Sequence, residues 1–552
     1  MMAEDVAPAR AGRGRGRLAV GLALVVGLAL ALRLPGLAVK PLHYDEGVNG
    51  WLTLRLYWWN LYRYDPTNYH GPLLYYANLL CFHLLGPGEV ALRMGTVIAG
   101  SLVPLALLPA RRFAGDVALC VAGLALAVGP GFVYFSRTAI HETWLVLATA
   151  LWAAALARFA QAPRARWGAV AGGAAALAFA SKETAVLSAA CLGAGAALAW
   201  LGGRPGGEID SDLFGGRTRG EALVAWSSGA RRAWLAGALV FATLLLLLFS
   251  SFLGHPRGVV DFFAAYVPWT EYGVTGRNQS KPLGYFLGVM AATEGAWRLL
   301  ALPAAGLALV ARERLGLALV GWAGASLLVY SVIPYKTPWC VLEIDLPVLL
   351  LVAWAAGRAA AVAARPGRSR GVRGVAAAAA LASLAPAPLL LARSLEDNRE
   401  RFDDFRRPYV YYQTFSEFRE LPRELLGVRD AAPSRDGVRL LTVDLEHPLS
   451  FYLLTRGWPL AQLVHFEQLP DAERLRGADV VASSHRDQEA IEAALAASGT
   501  AWHRERYYDR PGTYAYVWVR EPLWERYQAA GGREAAPWPR APSPPRAAPP
   551  PP

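Results

Sequence analysis

Cysteine is scarce in this sequence, and the common metal and nucleotide motifs are missing. Four cysteines occur among 552 residues, and each lies in or beside an apolar segment without paired spacing: Cys81, Cys120, Cys191 and Cys340. This pattern excludes a disulfide framework and a cysteine-based zinc site. The sequence also has no G-x-G-x-x-G or Walker loop at a strand–helix junction and no H-E-x-x-H helix. Nucleotide binding and a zinc-protease centre are therefore not expected.

Charged residues are also few. They make up 18% of the chain, whereas 54% of the residues are hydrophobic and the mean hydropathy is +0.26. Long apolar runs such as Leu18–Leu32, Leu235–Leu253 and Leu315–Ile333 lie between the charge clusters. Each is about long enough to cross a hydrocarbon core of ~30 Å, which takes roughly 20 residues. The sequence therefore predicts a multi-spanning helical membrane protein, with the first run kept as a span and not cleaved as a signal peptide.

The net charge of +12 is unevenly distributed. Arginines concentrate in short loops: Arg111 and Arg112; Arg158, Arg164 and Arg166; Arg231 and Arg232; Arg312 and Arg314; Arg358, Arg365, Arg368, Arg370 and Arg373. These loops alternate with others that are rich in Asp, Glu, His and Tyr. Such alternation follows the positive-inside rule, so the basic balance indicates topology and no nucleic-acid partner is expected.

The same alternation divides the membrane part of the chain. Residues 1–17 are predicted to form a cytoplasmic basic tail. Residues 18–393 are predicted to form an all-α polytopic domain of about eleven transmembrane helices. Its large outer loops are expected at residues 35–88 and 254–296, on the extracytoplasmic face of the cytoplasmic membrane.

The pattern changes after residue 393. The stretches "VRLLTVDL", "ADVVASS" and "TYAYVWVRE" are typical of strands, and "RDQEAIEAALAASG" is typical of a helix. Residues 394–528 are therefore predicted to form a small extracytoplasmic α/β domain. Residues 529–552 are rich in Pro and Ala, cannot build a core and are predicted to be disordered.

Six polar clusters fall on the predicted outer side. They are "LHYDEG" from Leu42, "RYDPTNYHGPLLYY" from Arg63, "SRTAIHETW" from Ser136, "SKETA" from Ser181, "RNQSKPLGYF" from Arg277 and "PYKTPW" from Pro334. This inventory suits sugar transfer from a lipid-linked donor. A carboxylate can take the proton of the acceptor hydroxyl, and fixed cations can hold the phosphate that leaves with the lipid.

In their order and sidedness these motifs resemble the GT-C superfamily of membrane glycosyltransferases, in particular protein O-mannosyltransferases and the lipid A aminoarabinose transferase. The series "HYDEG…YRYDPTNYHGPLLYY…IPYKTPW…RRPYVYYQT" is similar to an archaeal-type family labelled flippase-activity-associated, which also occurs in bacteria. The resemblance covers roughly residues 18–415. It implies an inverting hexosyl or pentosyl transferase of cell-envelope or protein glycosylation, with a polyprenyl-phosphate sugar donor and a protein, lipid or glycan acceptor.

The resemblance also implies roles for individual residues. Asp45 would be the catalytic base and Glu46 would support it or orient the acceptor. The remaining substrate and phosphate ligands would be His43, Asp65, Tyr69, His70, Arg137, His141, Glu142, Lys182, Lys281 and Lys336. His70 is a departure, because the aminoarabinose enzymes carry a lysine there.

No cofactor is required by these motifs. A divalent metal, Mg or Mn, could bind Asp45, Glu46 and Asp65. Related oligosaccharyltransferases use such a metal, whereas the protein O-mannosyltransferase pattern argues against requiring one.

Three alternatives stay open at this point. Arg137 and Lys182 could be interfacial anchors that extend to the membrane surface. A flippase for lipid-linked sugars would need ionisable groups near the midplane and inverted repeats, and the charges instead concentrate at one face. A scaffold for envelope assembly would tolerate substitution of the first-loop acids.

Glu343 and Asp345, in an otherwise apolar segment, are expected to face a polar cavity because buried acids are costly in a membrane.

Overall fold

The structure is a computed structural model of the chain, and it describes residues 6–60, 62–204, 212–227, 230–276, 279–445 and 447–535. The ends of the predicted basic and proline-rich tails lie outside the described residues, as do Arg277 and Asn278 of the fifth polar cluster. The first helix begins at Val6, ahead of the predicted first span.

The described part of the chain up to Arg399 is almost entirely helical. Its first ten helices are α1 (Val6–Arg33), α2 (Tyr44–Trp59), α3 (Leu73–Leu85), α4 (Glu89–Ala106), α5 (Arg111–Val128), α6 (Pro130–Ser136), α7 (Glu142–Gln161), α8 (Ala165–Ser181), α9 (Ala185–Gly202) and α10 (Arg219–Ser227). The next nine are α11 (Arg231–Phe249), α12 (Gly258–Ala264), α13 (Tyr266–Thr275), α14 (Tyr285–Ala292), α15 (Gly295–Ala311), α16 (Arg314–Val332), α17 (Val341–Ala363), α18 (Arg370–Ala382) and α19 (Pro386–Arg399).

Eight segments of the described chain are long and apolar enough to cross a membrane. They are Gly16–Arg33, Glu89–Val128, Glu142–Gln161, Ala185–Gly202, Arg231–Phe249, Arg314–Val332, Pro338–Ala363 and Arg370–Arg399. Helices α14 and α15 would make a ninth span, although they meet at an angle of 114°. The prediction of a polytopic helical domain is confirmed.

The difference from the predicted eleven spans has two structural causes. Glu89–Val128 has 40 residues, which at ~1.5 Å per residue is twice the thickness of the hydrocarbon core. It contains α4 and α5 and has a non-helical Gly115 (φ 81°, ψ 169°), so it is long enough for two crossings. Helix α8 has only 17 residues, although it is buried among other spans. The eight segments become eleven spans when three are added: α8, a second crossing by the long segment, and the bent pair α14–α15.

Small residues allow several helices to pack backbone against backbone. A Cβ atom on Gly168 would lie 1.9 Å from the Ala233 carbonyl oxygen, and one on Gly172 would lie 2.1 Å from that of Gly237. These contacts join α8 to α11. Glycine and alanine are therefore present in α8 because no larger side chain fits between these helices.

The C-terminal region forms a five-stranded mixed sheet with helices on both faces. The strands are β1 (Leu440–Val443), β2 (Leu463–Phe466), β3 (Val480–Ser484), β4 (Trp502–Arg510) and β5 (Thr513–Arg520), in the order β2-β1-β3-β5-β4. The helices are α20 (Glu420–Asp430), α21 (His447–Thr455), α22 (Ala472–Arg476), α23 (Gln488–Ala496) and α24 (Glu521–Ala529). Strands β1–β3 are parallel, whereas β4 and β5 form an antiparallel hairpin.

The predicted α/β character of this region is confirmed, including β1, β3, β5 and α23. Strands β2 and β4 escaped prediction because both are edge strands. Strand β2 has only four residues, and two exposed positions of β4 carry Arg504 and Arg506, which weaken the apolar signal of a strand.

The α/β region covers the N-terminal end of α2. Phe451 of α21 packs against Gly50, where an added Cβ would lie 2.5 Å from the Phe451 ring. The Leu42 N–H donates to the Tyr452 hydroxyl at 2.6 Å, and the Thr414 hydroxyl donates to the Leu42 carbonyl at 2.8 Å. These contacts fix the segment that leads to Asp45.

Candidate active site

Helix α2 begins in a capping box built around a histidine. The Asp45 N–H donates to Nδ1 of His43 at 3.0 Å, and the His43 N–H donates to the Glu46 carboxylate at 2.9 Å. This reciprocal arrangement satisfies two amide groups at the start of the helix. It places the two neighbouring acids in the first turn of α2, where the helix dipole favours negative charge.

Glu46 is held in a buried ion pair. Its two oxygens accept hydrogen bonds from Nε and Nη2 of Arg93, both at 2.7 Å, and both side chains are fully buried. The Ala139 N–H donates to the same carboxylate at 2.8 Å. Burial by itself would raise the pKa of Glu46, but the Arg93 guanidinium outweighs this effect and lowers it to about 2. Glu46 is therefore an ionised anchor between α2, α4 and the segment before α7.

Asp45 has a different environment from its neighbour. Its side chain is half-buried, and its carboxylate makes no hydrogen bond or ion pair with any described residue. Burial raises the pKa of Tyr335 to about 12, and the negative charge of Asp45 adds to that shift. Burial likewise raises the pKa of Tyr411, again with a contribution from Asp45. Asp45 is thus an unpaired acid close to Tyr335 and Tyr411, which together with Trp339 we call the aromatic wall.

His43 packs against that wall and has both ring nitrogens occupied. Nδ1 accepts from the Asp45 N–H, so Nε2 carries the proton and donates to the Tyr411 carbonyl at 2.7 Å. The ring lies edge-on to Trp339, with centroids 5.7 Å apart. Burial lowers the pKa of His43, which agrees with a neutral imidazole. His43 therefore positions the acidic loop and has no nitrogen left for a ligand.

The segment around His70 packs against the C-terminal end of α8. Gly71 donates its N–H to the Ser181 carbonyl at 3.2 Å, and a Cβ atom there would lie 2.1 Å from the Ala180 oxygen. The tight contact pins the loop to the C-terminal end of α8. Tyr69 has a left-handed backbone (φ 37°), a conformation that is strained for a side chain of this size.

His70 is paired with a buried carboxylate. Its Nδ1 lies 2.9 Å from the Glu183 carboxylate, and its ring centroid lies 4.7 Å from that of His141. Burial would raise the pKa of Glu183, but the His70 imidazole outweighs this effect and lowers it. The Nε2 atom of His70 has no hydrogen-bond partner among the described residues, and 29% of the side chain is exposed. Because Nδ1–H donates to the carboxylate, Nε2 donates to a ligand when the ring is protonated and accepts when it is neutral.

His141 and Lys182 lie deeper in the same region. Burial lowers the pKa of His141 well below its usual range, and its Nε2 has no partner in the described part of the chain. Lys182 forms a buried ion pair with Glu142. Burial by itself would lower the pKa of Lys182, but the Glu142 charge raises it well above its usual range. Lys182 is thus a permanent cation, and its charge also lowers the pKa of Tyr335.

The two remaining lysines lie on neighbouring segments joined by a Ser280–Tyr335 bridge. Lys336 is buried and donates its ammonium to the carbonyls of Ile333 and Lys281, at 2.6 and 3.1 Å. Burial lowers its pKa. The half-buried Lys281 ammonium has no partner among the described residues. Of the two, Lys281 is the cation that a phosphate could engage without breaking an existing contact.

Arg137 is directed elsewhere. Its buried guanidinium donates to the carbonyls of Arg33, Pro35 and Gly36 at 2.6–3.1 Å, at the C-terminal end of α1. A cation at this end neutralises the helix dipole and satisfies carbonyls that lack an intrahelical partner. The Arg137 guanidinium is therefore occupied by backbone carbonyls, and a phosphate could bind it only by breaking these contacts.

The residues suggested for a metal do not fit one. Glu46 directs its oxygens to Arg93 and two backbone amides. Asp65 is exposed and accepts from the Thr67 N–H at 2.8 Å and from its hydroxyl at 2.7 Å, which stabilises a local turn. Among the described residues no three His, Cys, Asp or Glu side chains are grouped as a metal site requires. No step is therefore assigned to a metal at Asp45, Glu46 and Asp65.

The acids of α17 are buried against hydroxyl groups. Glu343 accepts from the Ser188 hydroxyl at 2.8 Å, and Asp345 from that of Thr293 at 3.3 Å. A cavity of about 730 Å³ does lie between the helices, but its lining is apolar. It lies between the C-terminal halves of α7 and α9 and the N-terminal half of α16, and Trp200 is one of its lining residues. Each acid thus contacts a neighbouring hydroxyl and does not line this cavity, and Oε1 of Glu343 has no partner among the described residues.

Arg93 is the main functional residue that sequence analysis missed. It lies within the apolar segment of α4, where a charged side chain is costly and marks a position worth inspecting. Its partner Glu46 is 47 positions away, so the sequence carries no signal for the pair. Trp339 and Tyr411 were also missed as walls of the site, since aromatics are common in such segments.

Comparison with known proteins identifies the fold. Residues 69–204 match the family model described as dolichyl-phosphate-mannose-protein mannosyltransferase. ArnT from Cupriavidus metallidurans, bound to undecaprenyl phosphate, superposes with a TM-score of 0.57 at 17% identity, over 91% of this chain and 98% of that one. The protein has the GT-C fold. In the apo state the same ArnT gives a TM-score of 0.58 at 18% identity, over 93% and 99% of the two chains.

The GT-C fold extends to a second group of enzymes. The archaeal oligosaccharyltransferase AglB from Archaeoglobus fulgidus, in complex with an inhibitory peptide and a dolichol-phosphate, superposes with a TM-score of 0.50 at 13% identity. The match covers 93% of this chain and 77% of that one. A comparison with curated protein sequences gives no match. The predicted resemblance to GT-C membrane glycosyltransferases is confirmed at the level of the fold.

Proposed function

We propose that this protein is an integral membrane glycosyltransferase that transfers a sugar from a polyprenyl-phosphate-linked donor to an acceptor outside the cytoplasmic membrane. The observation that carries the proposal is the position of Asp45. The capping box and the buried Glu46–Arg93 ion pair hold the backbone at Asp45, whose carboxylate has no partner among the described residues. Its charge raises the pKa of Tyr335, which the charge of Lys182 lowers, so both groups act on the same side chain. The GT-C fold and the family match over residues 69–204 support the same activity.

The chemistry follows from the two sides of the site. Asp45 accepts the proton of the acceptor hydroxyl. At the same time the oxygen of that hydroxyl attacks the anomeric carbon of the donor sugar. The bond from that carbon to the phosphate oxygen breaks, and the electron pair leaves with the polyprenyl phosphate. Attack opposite the leaving group inverts the anomeric configuration. The half-buried setting suits Asp45 to this role, because it is accessible and has no competing partner.

The leaving phosphate needs positive charge on the other side. In its protonated form His70 can donate from Nε2 while its Nδ1–H donates to Glu183, which fixes the ring. Lys182 supplies a fixed positive charge and Lys281 has a free ammonium within the described structure. Preorganised donors of this kind stabilise the charge that develops on the leaving group without reorganising during the reaction.

A transporter or flippase for lipid-linked sugars is the second candidate. The buried acids Glu343 and Asp345 within α17 are the feature that favours it, since transporters place ionisable groups inside the membrane. Each acid, however, accepts one hydrogen bond from a hydroxyl group, although Oε1 of Glu343 has no partner in the described part of the chain. The polar groups around Asp45 instead gather where helices begin and end, which suits chemistry at the membrane surface.

The decisive experiment compares wild type with Asp45→Asn in membrane vesicles that contain a labelled polyprenyl-phosphate sugar pool. Loss of general base catalysis is expected to reduce transfer by roughly 10²–10⁴-fold. Asp436→Asn makes the same chemical change at an exposed position of the α/β region and serves as the matched control. Equal transfer by wild type and Asp45→Asn would refute the catalytic assignment. Passage of lipid-linked sugar across the bilayer without any transfer would favour the flippase.

A further inference from the structure

One face of the β4–β5 hairpin carries aromatic and arginine side chains in alternation. Arg506 lies opposite Tyr516, and Tyr508 lies opposite Tyr514. The Tyr508 and Tyr514 rings are 4.7 Å apart, and the Arg506 guanidinium lies 5.1 Å from the Tyr514 ring and 6.0 Å from that of Tyr508. We refer to Arg506, Tyr508, Tyr514, Arg510 and Tyr412 as the aromatic–arginine face.

This face continues into the site. The Arg510 guanidinium lies 5.0 Å from the Tyr412 ring and 5.9 Å from the ring of Tyr44. Tyr44 directly precedes Asp45, and Tyr412 packs against Tyr411 of the aromatic wall at 4.7 Å. From Arg510 to Arg506 the strand extends about 13 Å away from this junction. A bound chain could therefore have one end beside Asp45 and the rest along β4 and β5.

The near part of the face is open. Tyr508 is 38% exposed and Tyr412 is 42% exposed. Arg506 is exposed and has no acidic partner in the described part of the chain, in contrast to Arg504, which pairs with Glu492. Exposed rings combined with an uncompensated cation indicate a surface for a negatively charged ligand with apolar faces.

The far part of the same face, and the opposite side of the hairpin, are covered. Trp518 packs with Ile491 and Leu495 of α23, so the open surface ends there. On the opposite side Tyr507 and Val517 belong to the core formed with α20 and α24. The exposed Tyr508 ring and Arg506 therefore lie in the part of the hairpin closest to Asp45, where Arg510 is paired with Asp509 at 3.2 Å.

Two kinds of extended ligand suit such a surface, an acidic glycan and an acidic peptide. A peptide would gain most of its affinity by adding a strand to the free edge of β4. At its end nearest the site this edge is already used, because the Phe415 N–H donates to the Asp509 carbonyl at 2.8 Å. A glycan needs no free strand edge, since rings cover the apolar faces of sugars and arginines bind carboxylates in a forked geometry.

We propose that the aromatic–arginine face binds an acidic glycan, rich in uronic acids or similar anionic sugars, and guides its end to Asp45 as the acceptor. The proposal rests on the glycosyltransferase function proposed above. It assigns the α/β region a task in acceptor recognition and names the acceptor class.

The test measures binding without turnover. The full-length protein in nanodiscs is titrated with fluorescent oligogalacturonate and with a neutral maltooligosaccharide of the same length. We expect oligogalacturonate to bind at least tenfold more tightly. Arg506→Ala should weaken that binding roughly tenfold, since it removes a charge-assisted contact. Arg526→Ala, at an exposed site on α24, is the matched control and should have no effect.

Further outcomes decide between partners. Tyr508→Ala should weaken binding of oligogalacturonate while the thermal unfolding temperature stays unchanged, because Tyr508 is on the surface. Equal binding of maltooligosaccharide, or unchanged binding by both variants, would overturn the proposal. So would binding of polyglutamate or of anionic vesicles as tight as that of oligogalacturonate. Binding is measured without turnover, whereas Asp45→Asn tests transfer, so a failure of the transferase function and a failure of the binding surface are distinguishable.

Discussion

Replacing Arg93 by Met would test how the site is held in place. The guanidinium makes two hydrogen bonds to Glu46 and one each to the carbonyls of Leu37, Lys40 and Pro41. Removing one partner of a fully buried ion pair leaves the other charge uncompensated, which costs about 3–5 kcal/mol. The pKa of Glu46 falls from 4.5 to about 2. At ~1.4 kcal/mol per pKa unit this is about 3 kcal/mol of pH-linked stabilisation by all its surroundings together, with Arg93 as the main favourable partner.

The assay is thermal unfolding of the detergent-solubilised protein, measured together with sugar transfer. Arg93→Met and Glu46→Gln should each lower the unfolding temperature by several degrees. The double variant should lose less than the sum of the two, because neither residue is then left as a buried, unpaired charge. Transfer should fall in both single variants, since the first turn of α2 loses the anchor that places Asp45.

The pH dependence has a definite sign. The pKa of Glu46 is lower in the folded protein than its ordinary value, so the pair stabilises the fold fully above pH ~4.5. This contribution is lost progressively as the pH falls from about 4.5 towards 2. Glu46→Gln should therefore remove part of the acid destabilisation that wild type shows in this window. Loss of transfer in Glu46→Gln at an unchanged unfolding temperature would refute this reasoning and place Glu46 in contact with substrate.

Two further predictions concern the opposite side of the site. His70→Gln should reduce transfer roughly tenfold or more, whereas His70→Lys should retain most of it. The reason is that the group at this position must offer the phosphate a positive charge and a hydrogen-bond donor. Transfer rates measured at saturating donor check this. Gly71→Ala should lower both the unfolding temperature and the transfer rate, because its Cβ would lie 2.1 Å from the Ala180 carbonyl and push the His70 loop away from α8.

Each of these variants has a matched control. Gly284→Ala introduces the same methyl group where no atom lies within 4 Å, so it should leave stability and transfer unchanged. For the histidine, His83→Gln on α3 makes the same change away from the cluster. If His70→Gln transfers as fast as wild type, His70 does not hold the phosphate. If Gly71→Ala is harmless, the loop adapts and its close contact with α8 is not required.

Much of the architecture follows from local properties of the chain. Apolar runs such as Leu235–Leu253 predict spans because the transfer of each side chain into a membrane depends mainly on its own chemistry. Alternating apolar residues in "TYAYVWVRE" predict β5 for a comparable reason. The order of the polar clusters also predicts that the ends of several helices meet, and the structure brings Glu183 together with His70 and Lys182 together with Glu142.

Individual roles within the site were less predictable. Arg137 has the residue type of a phosphate ligand, but only the position of α1 shows that its guanidinium satisfies backbone carbonyls. His43 has the residue type of a ligand or acid–base group, but both of its nitrogens are bound to the backbone. Long-range partners decide these cases, and a single sequence contains no record of them.

Asp45 and Glu46 show the division most clearly. The sequence by itself determined that two acids follow the first span, at the start of a helix near the membrane surface. Only the tertiary structure decided which of them is available for chemistry. Successive residues on a helix point about 100° apart, so Glu46 meets Arg93 on α4 while Asp45 faces the aromatic wall. Glu46 is ionised, buried and bound to Arg93, whereas Asp45 is half-buried and has no partner among the described residues.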